Sequence, residues 1–470
     1  LLALAETRQG AAVPIRDEVI AYIESLDAKA PTDVMATGFV DIDEMLSGGL
    51  RPSELVIIAG RPSVGKAQPL DAQVLTPRGF VSLATIRVGD ELASTDGRES
   101  HVWAIHEQGE QQVYRVVLSD GRSTEACGEH RWRVYYRDWQ HPRTISTSAV
   151  RKLLSRKRYQ HRLWIERQSG EFGSCDELPI HPWLLGVLIG DGSLDGGTIH
   201  FTTADKEIAE GVAVAAGPNY EVRAVKGKYA YSIISAGGKR RKGYSGCIPN
   251  GLVDSLKALH LHGKKSYDKF VPTRYMLAQR SARLAVLQGL IDTDGTVAKN
   301  GAMSFSTTSK QLAQDVCWLA RSVGAIANLL PRNTGSTYML HGEKKIGRPS
   351  WNVFISHDNQ GELVSLSRKK SRLLTPRGDR RLGIISVEKT RVCQTRCLSV
   401  SHASGLYVTD DFIVTHNSSL GLGFARGLAK GGFPTVVFSL EMRSRALTAR
   451  LMSWEARVDQ HRVRGGFLGE

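Results

Sequence analysis

Near the end of the chain, His416-Asn417-Ser418 places three reactive side chains in a row. An asparagine side-chain nitrogen can attack its own backbone carbonyl, closing a succinimide and breaking the bond to the next residue. Here the preceding histidine can donate a proton, and the following serine offers a hydroxyl that accepts an acyl group. The triplet is short, but it falls at a conspicuous place. Far upstream, Gly60-Arg61-Pro62-Ser63-Val64-Gly65-Lys66 follows the apolar, β-branched run Leu55–Ala59, as a buried strand enters a glycine-rich phosphate-binding turn. That pattern, GxxxxGK[ST], needs a hydroxyl after the lysine to ligate Mg²⁺ and a helix whose amides face phosphate. Instead Ala67-Gln68-Pro69 follows, with no oxygen and a helix breaker. The missing half, Ser418-Ser419-Leu420-Gly421, stands directly after Asn417, so removing 67–417 would restore GRPSVGKSSLG. The junctions to be cut and joined are Lys66/Ala67 and Asn417/Ser418.

Two further carboxylates invite chemistry. Trp183–Gly192 and Val286–Gly295 are apolar helical segments that each end in Asp-Gly, at Asp191 and Asp294. Downstream, Phe201–Lys206 matches Phe305–Lys310 at nearly the same offset, each preceding an amphipathic segment, so an internal repeat and a pseudo-two-fold domain follow. Helices packed through small residues would bring the two acids together. Such a pair binds a divalent metal and suits phosphodiester hydrolysis.

The elements that must position these groups divide the chain. After Ala67, Asp71–Phe80 and Val88–Leu92 read as short strands. Cys397–Val400, Leu406–Val408 and Phe412–Asn417 read as strands that close the unit. This β pattern ending in His-Asn resembles an intein, which implies a horseshoe-like all-β fold with both junctions at its centre. The repeat resembles LAGLIDADG homing endonucleases, with Gly190 where their consensus has Ala. That resemblance implies Mg²⁺ at Asp191 and Asp294, double-stranded DNA as partner, and a lysine near the scissile phosphate, matched by Lys269 in Ser266–Pro272. The flanks, Ala36–Lys66 and Val436–Met442, resemble replicative DNA helicases of the DnaB family. That implies ATP and Mg²⁺ held by Gly60, Gly65, Lys66, Ser418 and Glu441 once the loop is rejoined, in a homo-hexamer on single-stranded DNA. Expected boundaries are 1–66 for the N-terminal helicase segment, with an amphipathic helix over Val19–Leu26. The splicing domain takes 67–175 and 376–417, the endonuclease 176–375, and the C-terminal helicase segment 418–470. The fold class is mixed: all-β splicing domain, nested α+β endonuclease, and pieces of an α/β RecA-like ATPase.

Most inteins open with Cys or Ser, and Ala67 is neither. Either a laboratory substitution has trapped a class 1 precursor, or the nucleophile lies elsewhere. Trp132, two residues after His130, Cys397 in a strand position that commonly carries Asp, and Thr415 before the terminal His-Asn together resemble class 3 inteins. By that resemblance Cys397 attacks Lys66, His130 protonates the departing nitrogen, and Trp132 and Thr415 orient the thiol; no cofactor is needed. Cys127 stands where a TxxH motif would have Thr, and with Cys397 it forms a candidate redox pair.

The six cysteines include no CxxC pair, which weighs against zinc and secreted disulfide scaffolds. A formal charge of +15 suits a polyanionic partner, and Lys239–Lys242 and Arg368–Arg372 are basic runs suited to DNA phosphates. With no apolar run long enough for a bilayer and no signal-peptide pattern, the expected place is the bacterial cytoplasm, away from membranes.

Overall fold

In a computed structural model, the residues described are 34–37, 43–44, 46, 49–51, 67–236, 250–332, 337–340, 343–374, 381–402, 404–416 and 431–432. Residues 61–418 form one compact unit, and 1–60 with 419–470 another. In the latter, Met35 and Leu50 exchange backbone hydrogen bonds in an antiparallel bridge, and Thr37 donates to Asp43. No helix among the described residues is long and apolar enough to cross a membrane.

The large unit begins with short strands: β1 (Gln68–Pro69), β2 (Gln73–Thr76), β3 (Gly79–Ser82) and β4 (Glu91–Leu92). The long β5 (Ser100–Leu118), then β6 (Ser123–Cys127), β7 (Arg131–Tyr136), β8 (Arg143–Ser146), helix α1 (Thr147–Leu154) and β9 (Leu163–Ile165) follow. Alternation in β7 is regular: Trp132, Val134 and Tyr136 are buried while Arg131, Arg133 and Tyr135 are not, the period-two pattern of a sheet with one face in a core.

A helical interval comes next. Its first half contains α2 (Pro182–Asp191), β10 (Gly192–Ser193), β11 (Ile199–Thr202), α3 (Lys206–Ala216), β12 (Tyr220–Ala224), β13 (Ala230–Ser235) and α4 (Gly251–Ala258). The second half has α5 (Thr273–Met276), α6 (Arg280–Thr293), β14 (Gly295–Val297), β15 (Met303–Thr307), α7 (Lys310–Ser322) and β16 (Ile326–Arg332). After a hairpin, β17 (Thr337–Leu340) with β18 (Glu343–Ile346), it ends in β19 (Ser350–Ser356) and α8 (Ser367–Lys370). The two sheets have matching orders, β10-β11-β13-β12 and β14-β15-β19-β16, so the expected internal repeat is an architectural one. One apolar core, from Ile180 to Leu366, lies between the halves.

The chain then returns to the β architecture with β20 (Leu382–Val400), β21 (Leu406–Thr409) and β22 (Ile413–His416). β20 pairs antiparallel with β5 from Ile384↔Leu118 to Val400↔Val102, a ribbon that stitches the residues before the interval to those after it. A second sheet has the order β22-β21-β2-β3. Between β21 and β22 the backbone turns at Asp411 (φ 56°) and Phe412 (φ 65°), two adjacent left-handed residues that are not glycine. Each such residue costs about 1–2 kcal/mol, so neighbouring contacts must hold this turn.

Candidate functional site

The upstream junction is set by β1. Its register with β20 pairs Gln68 with Arg396 and Pro69 with Thr395, and continuing it by one residue sets Ala67 opposite Cys397. Ala67 is fully buried. Its N–H donates to Cys127 Sγ at 3.3 Å, and its carbonyl accepts from the Cys127 N–H at 2.9 Å. Cys127 and Cys397 therefore flank one junction from two strands. Both are buried, neither is in a disulfide, and burial raises the Cys127 thiol above its usual range.

Three residues after Cys127, His130 closes a turn with its N–H on the Cys127 carbonyl, and its imidazole Nε2 meets the Thr415 hydroxyl of β22. The upstream and downstream strands thus touch through this pair. Trp132 packs edge-on against His130 with ring centroids 5.0 Å apart. Its indole N–H donates to Thr147 Oγ1 at 2.9 Å, while the Thr147 hydroxyl and N–H donate to the His130 carbonyl at 3.1 and 2.8 Å. Thr147, buried at the start of α1, was invisible to motif reading because a lone threonine has no spacing signature.

A second group was also missed. Gln68 is buried, its amide donating to Thr124 Oγ1 and Thr409 Oγ1 at 3.2 and 3.1 Å and accepting from the Tyr407 hydroxyl at 2.8 Å. Thr124 donates in turn to Asp410, which also accepts from the Gln73 N–H at 2.6 Å. Satisfied buried networks of this kind fix geometry, because each member would cost free energy if left unpaired. This one ties the second residue after the upstream junction to the turn before β22.

The second candidate site lies where α2 and α6 cross. A Cβ at Gly186 would come within 2.3 Å of the Val286 carbonyl, and one at Gly289 within 2.3 Å of the Trp183 carbonyl, so only glycine permits this approach. Gly190, the departure from consensus, has the same cause. A Cβ there would meet Thr293 Oγ1 at 2.1 Å, so a side chain absent from one repeat makes room for a larger one at the equivalent position of the other. Asp191 and Asp294 face each other at the helix ends: burial and then the Asp294 charge push the Asp191 carboxyl up to about 6, and burial raises Asp294. Asp292, by contrast, turns inward to the Trp183 indole and the Ser365 and Leu366 amides.

Lys269 lies at the same helix ends, but as a buried cap: its Nζ donates to the carbonyls of Leu188, Gly190 and Gly192 at 3.3, 3.1 and 2.7 Å. Lys369 does likewise for Ile291, Asp292, Thr293 and Gly295. The expectation that Arg368–Arg372 is a basic run facing DNA phosphates is corrected on this point. Lys369 is 3% exposed and Arg368 pairs with Asp205 at 2.7 Å, because the helix end needs donors more than the surface needs charge. Burial brings both lysines down to about 8. For Mg²⁺ the carboxylate pair offers hard oxygen donors and leaves positions for water and phosphate oxygens, the mode of binding Mg²⁺ prefers. Among the described residues no cluster of three His, Cys, Asp or Glu forms a fuller metal site.

Gly60, Gly65, Lys66, Asn417, Ser418, Glu441, the Val19–Leu26 helix and Lys239–Lys242 lie outside the described residues, and of His416 only the backbone strand is described.

A family model described as a LAGLIDADG-like domain matches residues 281–370, and one described as the DnaB-like helicase C terminal domain matches residues 34–79. The replicative DNA helicase DnaB of Mycobacterium intracellulare is 28% identical over 448 residues, covering 88% of this chain and 69% of that protein. Its counterpart from Mycobacterium leprae (strain TN) is 35% identical over 129 residues, 26% of this chain and 21% of that protein. Among solved structures, the MchDnaB-1 intein is 29% identical, with a TM-score of 0.15 over 16% of this chain and 57% of that one. I-DmoI in complex with DNA and Ca is 14% identical, with a TM-score of 0.26 over 41% of this chain and 95% of that one. By sequence the chain is thus similar to a DnaB-like helicase C terminal domain over residues 34–79, to a LAGLIDADG-like domain over residues 281–370, and over most of its length to a replicative DNA helicase DnaB.

Proposed function

We propose that residues 67–417 excise themselves by a class 3 route and join Lys66 to Ser418, restoring the interrupted phosphate-binding loop. The observation that supports this reading is the β1–β20 register, Gln68 opposite Arg396 and Pro69 opposite Thr395, whose continuation by one residue leads from Ala67 to Cys397. The Cys397 sulfur attacks the Lys66 carbonyl as its thiol proton passes to His130, and the Lys66–Ala67 bond breaks as the departing nitrogen takes that proton from His130. The acyl group passes from the Cys397 thioester to the Ser418 hydroxyl. Asn417 then cyclises, with His416 protonating the leaving amine, and the freed Ser418 nitrogen displaces its own ester oxygen to leave an amide. Trp132 and Thr415 fix the His130 ring between them. Thioester to ester to amide runs downhill, and no metal or organic cofactor takes part.

Within the same unit, Asp191 and Asp294 with Mg²⁺ are the centre of a DNA endonuclease acting on double-stranded DNA. Lys269 caps the α2 end beside this pair and in this reading acts on the scissile phosphate through its charge. After splicing, Gly60, Gly65, Lys66, Ser418 and Glu441 hold ATP and Mg²⁺ in a hexameric helicase on single-stranded DNA in the bacterial cytoplasm. Cys127 and Cys397 supply a redox control: exchange with oxidised glutathione joins them as a disulfide, releases two reduced glutathiones and removes the nucleophile.

Incubating the purified chain and resolving it by gel and intact mass tests the central claim. A ligated product containing 1–66 joined to 418–470 and a free 67–417 product are expected, lost in Cys397→Ala and retained in Cys127→Ala. Splicing by Cys397→Ala would overturn the class 3 route. Splicing only after Ala67→Cys would instead show a class 1 intein trapped at residue 67.

A further inference from the structure

One contact joins the paired-helix domain to the turn that launches the downstream splice strand. Arg321, on α7, donates to Asp411 Oδ2 at 2.6 Å and to the Asp120 carbonyl at 3.1 Å. Trp318, one turn earlier on the same helix, meets Phe412 edge-on with centroids 4.9 Å apart, and Phe172 closes the other side at 5.8 Å. From within the β-domain, buried Arg122 pairs with Asp120 at 2.7 Å and donates to the carbonyls of Asp411 and Phe412. Both residues of the turn with left-handed backbone are thus held, one by an ion pair and the other by an aromatic stack.

We propose that Arg321 and Trp318 are positioning residues for splicing: the paired-helix domain holds the Asp411-Phe412 turn in its left-handed form, and that turn sets the course of β22, the strand that leads to the downstream junction. The reasoning is geometric. Phe412 is followed directly by Ile413–His416, so a change of backbone at Asp411 and Phe412 redirects that strand. Left-handed backbone at a non-glycine residue relaxes unless its surroundings over-determine it. Two of the side chains that hold this turn, Arg321 and Trp318, come from α7, a helix that takes no part in the splicing chemistry, beside Arg122, Phe172 and Phe80. The upstream junction has contacts of its own, Ala67 on Cys127 and Gln68 on Tyr407, and reaches the turn and β22 only through the Thr124–Asp410 and His130–Thr415 hydrogen bonds. Loss of the α7 contacts therefore acts on the downstream step more than on the upstream one. Nested insertion then has a mechanical consequence: removing the endonuclease domain costs splicing efficiency even though none of its residues reacts.

This inference rests on the splicing reading, and the test separates the two in the full-length chain. Asn417 cyclisation is followed alone in a Cys397→Ala background as release of 418–470. Attack at Lys66 is followed alone in an Asn417→Ala background as cleavage by added dithiothreitol. Arg321→Ala is expected to slow cyclisation about tenfold, with thiol cleavage within about twofold of its parent. Asp411→Asn removes the same ion pair from the other side with a residue that tolerates positive φ, and is expected to match it. The Arg321→Ala/Asp411→Asn double variant should be no slower than the slower single one, because each removes the same interaction. Arg321→Lys keeps the cation and should recover part of the rate. Equal slowing of both steps, additive effects, or unchanged cyclisation would overturn the proposal. A parent chain that gives no spliced product would instead overturn the splicing reading itself.

Discussion

Replacing Thr147 by Val tests whether the environment of His130 is built for reaction at Lys66. Valine is nearly isosteric with threonine but removes the acceptor for the Trp132 indole and a donor to the His130 carbonyl. Trp132 is 1% exposed and His130 fully buried, so water cannot replace either partner. A buried donor left unsatisfied costs about 1–3 kcal/mol. The inexpensive escape is for the indole to rotate toward another acceptor, which breaks its edge contact with the imidazole. If that reorientation falls on the transition state of proton transfer to the departing Ala67 nitrogen, the step slows by about tenfold to a hundredfold, at about 1.4 kcal/mol per decade. The assay is thiol-induced cleavage at Lys66 in an Asn417→Ala precursor, with urea unfolding alongside. Thr147→Ser keeps the hydroxyl and should react within about threefold of the parent. Thr147→Val reacting at the parental rate, or Thr147→Ser as slowly as Thr147→Val, would refute the argument.

Two other outcomes follow from the carboxylate pair where α2 and α6 cross. The Asp191 carboxyl is raised to about 6, so on lowering the pH through 6 it takes up a proton and loses its cation affinity. Mg²⁺-dependent nicking of DNA carrying the uninterrupted loop sequence should therefore fall below about pH 6 and be recovered in part by raising Mg²⁺; a flat profile from pH 5 to 8 would count against the pair as ligands. Gly190→Ala places a methyl 2.1 Å from Thr293 Oγ1 and 2.8 Å from its Cβ, so no rotamer of Thr293 relieves it. A loss of about 1–3 kcal/mol in stability is expected, largely regained when Thr293→Gly is added, as measured by thermal unfolding with and without the second change.

Much of this was legible from residues alone, and where it was not the reason is specific. The paired helices announce themselves because apolar periodicity and Asp-Gly recur at a near-constant spacing, and the structure returns both as equivalent elements. Short strands at either end of the insertion were also readable. The long β5–β20 ribbon was not, since its exposed middle, Glu388–Arg391, breaks the apolar pattern, and pairing between residues so far apart in sequence leaves no local trace. Cys397 was named by resemblance, and only the register sets it opposite Ala67. Lys369 was missed because it sits inside a basic run, where charge density masks one buried member. The network of Gln68, Thr124, Tyr407 and Asp410 could not be read at all, because ordinary polar residues acquire roles only when distant strands meet.

The two buried lysines show how the centre where α2 and α6 cross solves a structural problem and an electrostatic one with the same atoms. Every helix ends with carbonyls that lack intrahelical partners and with a partial negative charge. At α2 and α6 these ends converge, and two carboxylates are added at the same place, so without further charge the arrangement repels itself. Lys269 donates to three carbonyls of one end and Lys369 to four of the other, and both ammonium groups attract the carboxylates. Burial alone would push these lysines toward neutrality, while Asp294 and Asp191 pull Lys269 back and Asp292, Asp205 and Asp191 pull Lys369 back. The four groups thus hold one another near charge balance before any cation arrives, which lets a like-charged pair sit in a buried crossing without unfolding it. It follows that Lys269→Met or Lys369→Met removes helix caps and counter-charge together. A loss of nicking in either variant would identify a catalytic lysine only if the thermal stability of the domain were retained.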